Sequence, residues 1–313
     1  MNFPVFDLHC DTALSLVENR AALSENNGHI DLKRAAALEG YCQCFACFTT
    51  PFMKEWGAGE PEEVFRRELE TLRSELQRNA SLIRQAFSAE DIKANRAQGI
   101  MSAILTIEGP AGFGFGPAKL EDLYRAGFRI TTLGWNEDNV LTGSHITGGG
   151  LTDLGRAYVR EAQRLGMLID VSHISDQGFY DIMDMTLAPV IASHSNSRYV
   201  HNVSRNLTDD MFLEICRTGG VAGFNQYADF IGKSCDIGTA CDHILHFMEL
   251  DPSGRHIALG GDLDGCEELP SGFAGVQDYP RFAQCLLEHG LDENTVQDIF
   301  WNNALALIQK SCP

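Results

Sequence analysis

Eight short apolar runs alternate with segments of helical spacing along the chain, and this alternation limits the folds open to it. The pattern is the signature of βαβ units, in which successive strands lie parallel in one sheet. The predicted strands cover residues 5–9, 41–48, 100–107, 128–133, 167–171, 190–193, 221–224 and 257–261. Because eight parallel strands close a (β/α)8 barrel, the TIM barrel, we predict an α/β protein of this architecture.

Helical periodicity between the strands supports the same fold. Helices are predicted over residues 60–78, 153–165, 176–185, 209–217, 240–249 and 292–309. Ser175 and Thr208 precede acidic first turns and are the predicted N-caps of two of them. Since a closed barrel typically needs about 250 residues, we expect residues 1–313 to form one domain. The stretch at about 49–81, after the second strand, is interpreted as an insertion that forms part of a lid or rim.

The charge balance restricts the partners of the protein. A formal net charge of −19 argues against nucleic acid or an anionic membrane surface, because phosphate binding needs clustered lysine and arginine. No basic and apolar leader precedes the first strand, and no run of about 18 uncharged apolar residues occurs. We therefore expect a soluble, cytoplasmic protein with a small-molecule partner. The oligomeric state stays open, with a homodimer as one option.

The ten cysteines are expected to be free thiols, because a chain of this length without a secretion signal seldom depends on disulfides. Cys42, Cys44 and Cys47 are spaced like zinc ligands. They lie, however, in the continuous hydrophobic run 41–48, and no second cysteine pair follows at finger spacing. A buried parallel strand is the better interpretation of this segment.

Polar side chains that can bind metal follow the predicted strands at their carboxyl ends, where the active sites of these barrels lie. They are His9 and Asp11 at the end of strand one, Glu108 at the end of strand three, His173 at the end of strand five, His194 at the end of strand six and Asp262 at the end of strand eight. Residues i and i+2 of a strand project to the same side, so His9 and Asp11 can bind one ion while Cys10 points into the surrounding layer. Three histidines and three carboxylates suit Zn²⁺, or less specifically Mn²⁺, Fe²⁺ or Co²⁺. Six ligands exceed the needs of one tetrahedral zinc, which favours two ions.

Other residues of the same chemical types lack this strand-end placement. His145 and the i, i+3 pair His243 and His246 are not predicted to bind metal. Asn136 and Asn139 follow the fourth strand and could supply hydrogen-bond donors, although asparagines in loops more often form turns.

Several stretches match the motifs of one known family, in family order from residue 7 to residue 265. They are DLHCD (7–11), TIEG (106–109), GGLT (149–152), LIDVSH (168–173), PVIASHS (189–195), RNL (205–207) with DD (209–210), and GGDLDG (260–265). On these residues the chain resembles the renal (membrane) dipeptidase family, peptidase family M19, of the amidohydrolase superfamily. A His-x-Asp opening and a bridging glutamate separate this family from relatives that use His-x-His and a carbamylated lysine. The resemblance implies a TIM barrel of the metal-dependent hydrolase type with two Zn²⁺ ions.

The resemblance also assigns roles to the strand-end residues. It implies that His9 and Asp11 hold one zinc, that His173 and His194 hold the other, and that Glu108 bridges both. The implied reaction is hydrolysis of the amide bond of a small dipeptide by a hydroxide that the two ions share. Members of the family often accept a D-residue at the C-terminal position of the substrate.

Residues around the ions receive roles in the same way. Asp262 is implied as the general acid–base, with Asp264 as its rival. Arg205 matches the family position that clamps the terminal carboxylate of the substrate, with Arg198 as the fallback. Trp135 stands where the mammalian enzymes have a histidine that contacts the substrate. An indole can donate one hydrogen bond or form a wall of the substrate site, but it cannot carry a positive charge or shuttle a proton.

Two other functions remain open at this point. A related hydrolase, such as an N-acyl-amino-acid deacylase or a lactonase, is the alternative, because the same metal centre attacks any polarised carbonyl. A catalytically silent metal-binding protein is the third. That interpretation predicts a missing ligand or general base, and the sequence lacks neither.

Overall fold

Parallel strands form a barrel, and the helices surround it. The computed structural model describes residues 2–312. Its strands are β1 (Val5–Asp7), β2 (Tyr41–Phe48), β3 (Ile83–Gln85), β4 (Met101–Glu108), β5 (Phe128–Thr131), β6 (Leu168–Asp170), β7 (Val190–Ile191), β8 (Ala222–Phe224) and β9 (Ile257–Leu259). Neighbouring strands pair in the order β7–β6–β5–β4–β2–β1–β9–β8. Every one of these pairings is parallel.

The two ends of this order meet through residues that follow β7. Ala192 forms a parallel bridge with Ala222 of β8, and its carbonyl oxygen accepts a hydrogen bond from Gly223 N at 2.8 Å. Ser195 N donates to the Gly223 carbonyl oxygen at 2.8 Å. Eight strands thus form a nearly closed barrel, which confirms the predicted (β/α)8 architecture.

The eight predicted strands are all present, but several end earlier than the sequence predicts. β1 ends at Asp7 rather than at residue 9, because the Asp7 carboxylate accepts from His9 N (3.0 Å) and Gly261 N (2.9 Å) in place of the ladder. β3 was not predicted. It pairs with the first residues of β4. From Leu105 onward, β5 pairs with β4 along that edge instead. Three residues with one exposed side chain are too few to show a period.

Thirteen α-helices lie within the described residues. They are α1 (Thr12–Asn19), α2 (Leu32–Ala35), α3 (Pro61–Arg78), α4 (Ala89–Ala97), α5 (Leu120–Ala126), α6 (Asp153–Leu165), α7 (Asp176–Met183), α8 (Asp209–Thr218), α9 (Ala228–Ile231), α10 (Ile237–Leu250), α11 (Tyr279–Glu288), α12 (Glu293–Gln297) and α13 (Asn303–Ser311). Short 3-10 turns cover Pro51–Met53, Pro110–Phe113, Pro117–Lys119 and Val276–Asp278.

The predicted helices are confirmed within a few residues, with one exception. The helix predicted over 292–309 is divided by a π-helical turn, Asp298–Asn302, into α12 and α13. Both predicted caps are confirmed, because Ser175 accepts from Gly178 N and Thr208 accepts from Met211 N.

Two apolar layers hold the barrel together, and the alternation along each strand sorts side chains between them. One layer takes side chains from around the barrel, including Phe6, Cys44 and Ile104, and Trp301 packs onto it. The other lies between the strands and the helices and contains Cys10. All eight side chains of β2 are buried, which confirms the interpretation of run 41–48. The ten cysteines are free thiols.

The segment 49–81 consists mainly of α3, which packs inward through Val64, Leu72 and Leu76. Trp56, just before this helix, is 53% exposed. That the segment is an insertion in a single-domain chain stays a prediction. Within residues 2–312, no helix has both the length and the apolar character that a membrane crossing requires.

Candidate metal centre

Six side chains from the ends of five strands meet at one end of the barrel, and each is more than nine-tenths buried. They are His9 and Asp11 after β1, Glu108 at the end of β4, His173 after β6, His194 after β7 and Asp262 after β9. Glu108 lies in the middle, since its Oε2 is 3.2 Å from His9 Nε2 and its Oε1 is 2.9 Å from His173 Nε2. His194 Nε2 is 3.7 Å from the same Oε1. The fold therefore brings together all six residues singled out in the sequence, and we call them the metal-centre cluster.

Backbone contacts between the first and last strands position two members of the cluster. The bonds from His9 N and Gly261 N to the Asp7 carboxylate tie the end of β1 to the end of β9. Asp262 N donates to the His9 carbonyl oxygen at 3.2 Å. Asp262 (φ 56°) and His173 (φ 70°) have left-handed backbones. Such conformations are rare outside glycine and concentrate at functional sites.

Hydrogen bonds to the second ring nitrogen orient two histidines. His194 Nδ1 lies 2.7 Å from Ser193 Oγ, and that hydroxyl donates its own proton to the buried Asp170 carboxylate. His173 Nδ1 lies 2.8 Å from Asn136 Oδ1. The serine hydroxyl proton is already used and an amide oxygen only accepts, so each Nδ1 carries the proton. Each Nε2 then presents its lone pair, as in metal-binding histidines.

The remaining atoms are arranged as ligands rather than as hydrogen-bond partners. His173 Nε2 and His194 Nε2 face each other at 3.0 Å, although neither has a proton to donate. His9 Nε2 and Asp11 Oδ1 are buried without a hydrogen-bond partner in the part of the chain that the structure describes. Polar atoms in this state are costly to bury unless a cation binds them.

The spacing of the side-chain donor atoms is suited to binding a metal ion. Two overlapping groups have three ligand atoms within 4.8 Å of one another: His9–Glu108–His194 and His9–Asp11–Asp262. Gly265 makes room for the second group, because a Cβ there would lie 2.1 Å from Asp11 Oδ2 and 2.5 Å from Asp262 Oδ1. The residues present therefore fit divalent cations.

Burial is the main cause of most of the pKa shifts in the cluster, whereas for His9 burial is outweighed by the Glu108 and Asp11 carboxylates, which raise its pKa. Burial, together with the nearby positive charge of Arg205, lowers the pKa of His173 and His194 well below the usual value. Burial raises the pKa of Glu108 to about 8, and the charge of Asp11 adds to the rise. Both histidines are thus neutral, which is the form that binds metal, and ionised carboxylates here need a cation nearby.

Arg205 lies beside the cluster with one edge of its guanidinium free. The residue is 4% exposed, its Nη1 donates to Ser195 Oγ at 2.6 Å, and its Cζ is 5.6 Å from the centre of the Phe230 ring. Nε and Nη2 are buried and lack a partner among residues 2–312. These two N–H groups form the edge that holds a carboxylate bidentately. Arg198, the fallback, is already paired with Asp176 through two bonds of 2.8 Å.

The two candidate acid–base residues differ in their contacts. Asp264 accepts from Thr12 Oγ1 at 2.7 Å and from His29 N at 2.5 Å, so both of its oxygens are used. Asp262 accepts from Asn225 Nδ2 through Oδ2 at 3.0 Å, and its Oδ1 faces the cluster. Burial raises the pKa of Asp262 to about 6. These contacts favour Asp262.

An aromatic wall borders the cluster. The Trp135 ring lies 6.1 Å from the His173 ring, 5.3 Å from Phe48 and 5.6 Å from Trp56, centre to centre. Phe48, Trp56 and Trp135 form this wall, and Trp56 is its exposed member. The wall offers an apolar surface without a charge.

Asn136, which the sequence suggested as a possible hydrogen-bond donor, instead supports His173 as an acceptor through its Oδ1. Asn136 Oδ1 also lies 2.9 Å from His145 Nε2, and His145 Nδ1 lies 2.9 Å from Ser204 Oγ. Burial lowers the pKa of His145 to about 4, so its ring is neutral. Asn136 thus acts as an acceptor for two rings. Neither Asn136 nor His145 lies at the end of a strand or at a spacing typical of metal ligands. The sequence therefore contained no signal for the role of His145.

The other residues considered in the sequence have local contacts. Asn139 forms a turn by accepting from Leu141 N at 2.7 Å. His243 Nδ1 accepts from Ser197 N at 3.1 Å. His246 Nε2 lies 2.9 Å from an Asp209 oxygen.

Comparisons with known proteins agree with this geometry. A sequence profile of the membrane dipeptidase family, peptidase family M19, matches residues 1–311. An uncharacterized dipeptidase of Schizosaccharomyces pombe is 31% identical over 97% of this chain and 80% of its own length. A second one from the same organism is 33% identical over 91% of this chain and 74% of its own length.

Two solved structures share the fold at a TM-score of 0.89. One is a metallo peptidase from Rhodobacter sphaeroides liganded with a phosphinate mimic of the dipeptide L-Ala-D-Ala, 25% identical, with 99% of this chain and 100% of that chain covered. The other is the dipeptidase AC, a metallo peptidase of family M19, 27% identical, with 100% of this chain and 99% of that chain covered.

Proposed function

Because the chain belongs to the membrane dipeptidase family, peptidase family M19, we propose that it is a zinc-dependent dipeptidase that cleaves small dipeptides, including L,D-dipeptides. Family membership agrees with the motif resemblance. The observation that carries the substrate assignment is the free guanidinium edge of Arg205 beside the metal-centre cluster. The relative liganded with a mimic of L-Ala-D-Ala supports the L,D part of the proposal.

We assign the ligands of two zinc ions from the directions of the donor atoms. His9 and Asp11 would hold one ion and His173 and His194 the other. Glu108 would contact both, since its Oε2 faces His9 and its Oε1 faces His173. Imidazole and carboxylate suit Zn²⁺, and also Mn²⁺, Fe²⁺ and Co²⁺. Bound ions supply Lewis acidity, which activates water and polarises the scissile carbonyl.

We assign proton transfer to Asp262. The bond from Asn225 holds one of its oxygens, and the other faces the cluster. A carboxylate fixed in this way takes a proton from the attacking water and returns it to the departing amine, which is general acid–base catalysis.

The site offers a positive charge, on Arg205, in one place and an uncharged aromatic surface in another, and the parts of a dipeptide can be matched to them. The C-terminal carboxylate of a dipeptide matches Nε and Nη2 of Arg205. The aromatic wall has no charged group, so we assign it to an apolar side chain of the substrate. Trp135 would act there by contact and not as a cation or proton shuttle.

A deacylase for N-acyl-amino acids is the second candidate, because such substrates also carry a free carboxylate for Arg205. A lactone has no free carboxylate for Arg205 to bind, so this residue does not favour a lactonase. A silent metal-binding protein would lack a ligand or the general base, whereas the five ligands and Asp262 are all present in the cluster.

The test is an assay of zinc-loaded protein on matched substrates. The panel consists of L-Ala-L-Ala, L-Ala-D-Ala, the C-terminal amides of both, and N-acetyl-D-alanine. We expect hydrolysis of both dipeptides and much slower turnover of the amides and the acetylated compound. Faster hydrolysis of N-acetyl-D-alanine than of either dipeptide would favour the deacylase. A lack of hydrolysis across the panel with zinc restored would overturn both functions.

A further inference from the structure

Three metal-binding side chains meet at a second place, between α10 and α11. Cys241 Sγ lies 3.0 Å from Cys285 Sγ, and Cys285 Sγ lies 3.6 Å from His289 Nδ1. Each residue has a ligand atom within 4.8 Å of those of the other two. None of them belongs to the metal-centre cluster, and the proposed reaction has no role for them.

The arrangement gives an ion a route from solvent. Cys285 and His289 are four residues apart at the end of α11, so their side chains share one face. Cys241 reaches them from α10. Cys241 is buried, Cys285 is partly buried and His289 is exposed. An ion can therefore reach both sulfurs without opening the core.

The surroundings favour a cation. Burial, the neighbouring Cys285 and the charges of Asp242 and Asp236 raise the pKa of the Cys241 thiol. The carboxylates of Asp242 and Asp236 disfavour ionisation of the thiol when no metal is bound, but the same negative charges attract a cation. The net charge of −19 also attracts cations to the protein. Sulfur and imidazole donors select zinc and related soft ions over Mg²⁺ and Ca²⁺.

We propose that Cys241, Cys285 and His289 form a second metal site, which binds one Zn²⁺ through two sulfurs and an imidazole and leaves the fourth position to water. Zinc–sulfur bonds of about 2.3 Å in tetrahedral geometry place two sulfurs about 3.8 Å apart. The thiols therefore separate by less than about 1 Å to admit the ion. Each thiol releases its proton to solvent on binding. His289 exchanges its hydrogen bond to the Cys285 carbonyl oxygen (2.8 Å) for the metal bond.

A disulfide is the competing use of the same sulfurs. It would require them to approach to about 2.05 Å and would need an external oxidant. It would also leave His289 without a role. A histidine at Cys-x3-His spacing on the same helix face therefore favours the metal.

An ion at this site would connect two helices whose cysteines are 44 residues apart in the chain. It touches no residue assigned to the reaction. We expect it to raise the thermal stability of the folded chain and to leave dipeptide hydrolysis unchanged.

Co²⁺ is the probe, because thiolate–cobalt bonds absorb strongly by charge transfer and nitrogen or oxygen ligands do not. The full-length, reduced chain is freed of metal and titrated with Co²⁺. The metal-centre cluster contains no sulfur, so ions bound there do not contribute to the charge-transfer band. We expect the band to saturate within three added equivalents, because the metal-centre cluster also takes up Co²⁺, and to reach the intensity of one thiolate-bound Co²⁺ per chain. It should disappear when Zn²⁺ is added, since zinc binds such ligands more tightly.

Three variants and one control decide the assignment. Cys241→Ser and Cys285→Ser should abolish the band, and His289→Asn should weaken Co²⁺ binding about 10- to 100-fold. Cys216→Ser is the matched control, because Cys216 also has a carboxylate and a histidine nearby but no second sulfur. It should keep the band. Circular dichroism checks folding, and the partly exposed position of Cys285 makes its serine variant the safer of the two.

Four results would contradict the assignment of a second metal site. A reduced wild-type chain without the band, or with a band that saturates only at millimolar Co²⁺, would overturn the proposal. So would a band that persists in Cys241→Ser or is lost in Cys216→Ser.

Discussion

Replacing Arg205 with alanine is expected to erase any preference for substrates that carry a free terminal carboxylate. The residue is 4% exposed, and its Nε and Nη2 lack partners within residues 2–312. A carboxylate on that edge forms two charge-assisted hydrogen bonds in a site with little water. Removing one partner of such a pair costs about 2–5 kcal/mol, which corresponds to roughly 30- to 5,000-fold in kcat/KM.

The assay compares Arg205→Ala with wild type on a dipeptide and on its C-terminal amide. The variant should lose most of its kcat/KM on the dipeptide and little on the amide. Arg205→Lys should fall between, because an ammonium keeps the charge without the fork of donors. Arg198→Ala is the control, since its pair with Asp176 is near the surface and such pairs contribute about 0–1 kcal/mol. Equal losses on both substrates would refute the clamp and point to a structural role through the Ser195 bond.

Three further substitutions test the surroundings of the centre and the core. Asp262→Asn keeps a left-handed backbone that asparagine tolerates but loses the proton acceptor. Its kcat should fall about 10²- to 10⁴-fold at unchanged zinc content, and a parallel loss of zinc would identify Asp262 as a ligand instead. Asn136→Ala removes the acceptor for His173 Nδ1, so zinc affinity in a chelator competition should fall about 10- to 100-fold; unchanged affinity would contradict the orienting role. Burial lowers the pKa of His243 from 6.5 to about 4, so the unfolded chain binds the proton first. The contribution of neutral His243 to the free energy of unfolding should be fully present above pH 6.5. It should fall by about 3 kcal/mol as the pH drops from there through the folded-state pKa. Denaturant unfolding of His243→Asn should lack this part of the pH slope, and an identical slope would show that another group causes it.

Periodicity was sufficient to predict the barrel, because buried parallel strands and amphipathic helices leave strong signals. It was insufficient at the strand ends. β1 ends at Asp7, where the side-chain carboxylate accepts hydrogen bonds in place of the backbone partners of the sheet. A hydrophobic pattern in the sequence carries no information about this replacement. β3 is too short for a period. The π-helical turn at Asp298–Asn302 keeps the apolar spacing of a helix, so the sequence predicted one helix where there are two.

The cluster itself could be predicted because a barrel brings its strand ends together. Asp170 and Ser193, which orient His194, lie within stretches that match the family, so the sequence carries a signal for them. Asn136 lies 37 residues from His173, and their contact depends on how a loop folds back over the barrel. The Cys241–Cys285 contact likewise depends on helix packing across 44 residues, and no pattern in the sequence indicates it.

The most direct test is a zinc titration of the metal-free chain in the Cys241→Ser background, which removes the proposed sulfur site. Hydrolysis of L-Ala-D-Ala should be absent without metal, rise with added zinc and reach its plateau at two ions per chain. A plateau at one ion, or hydrolysis that persists without metal, would contradict a two-metal dipeptidase centred on Glu108.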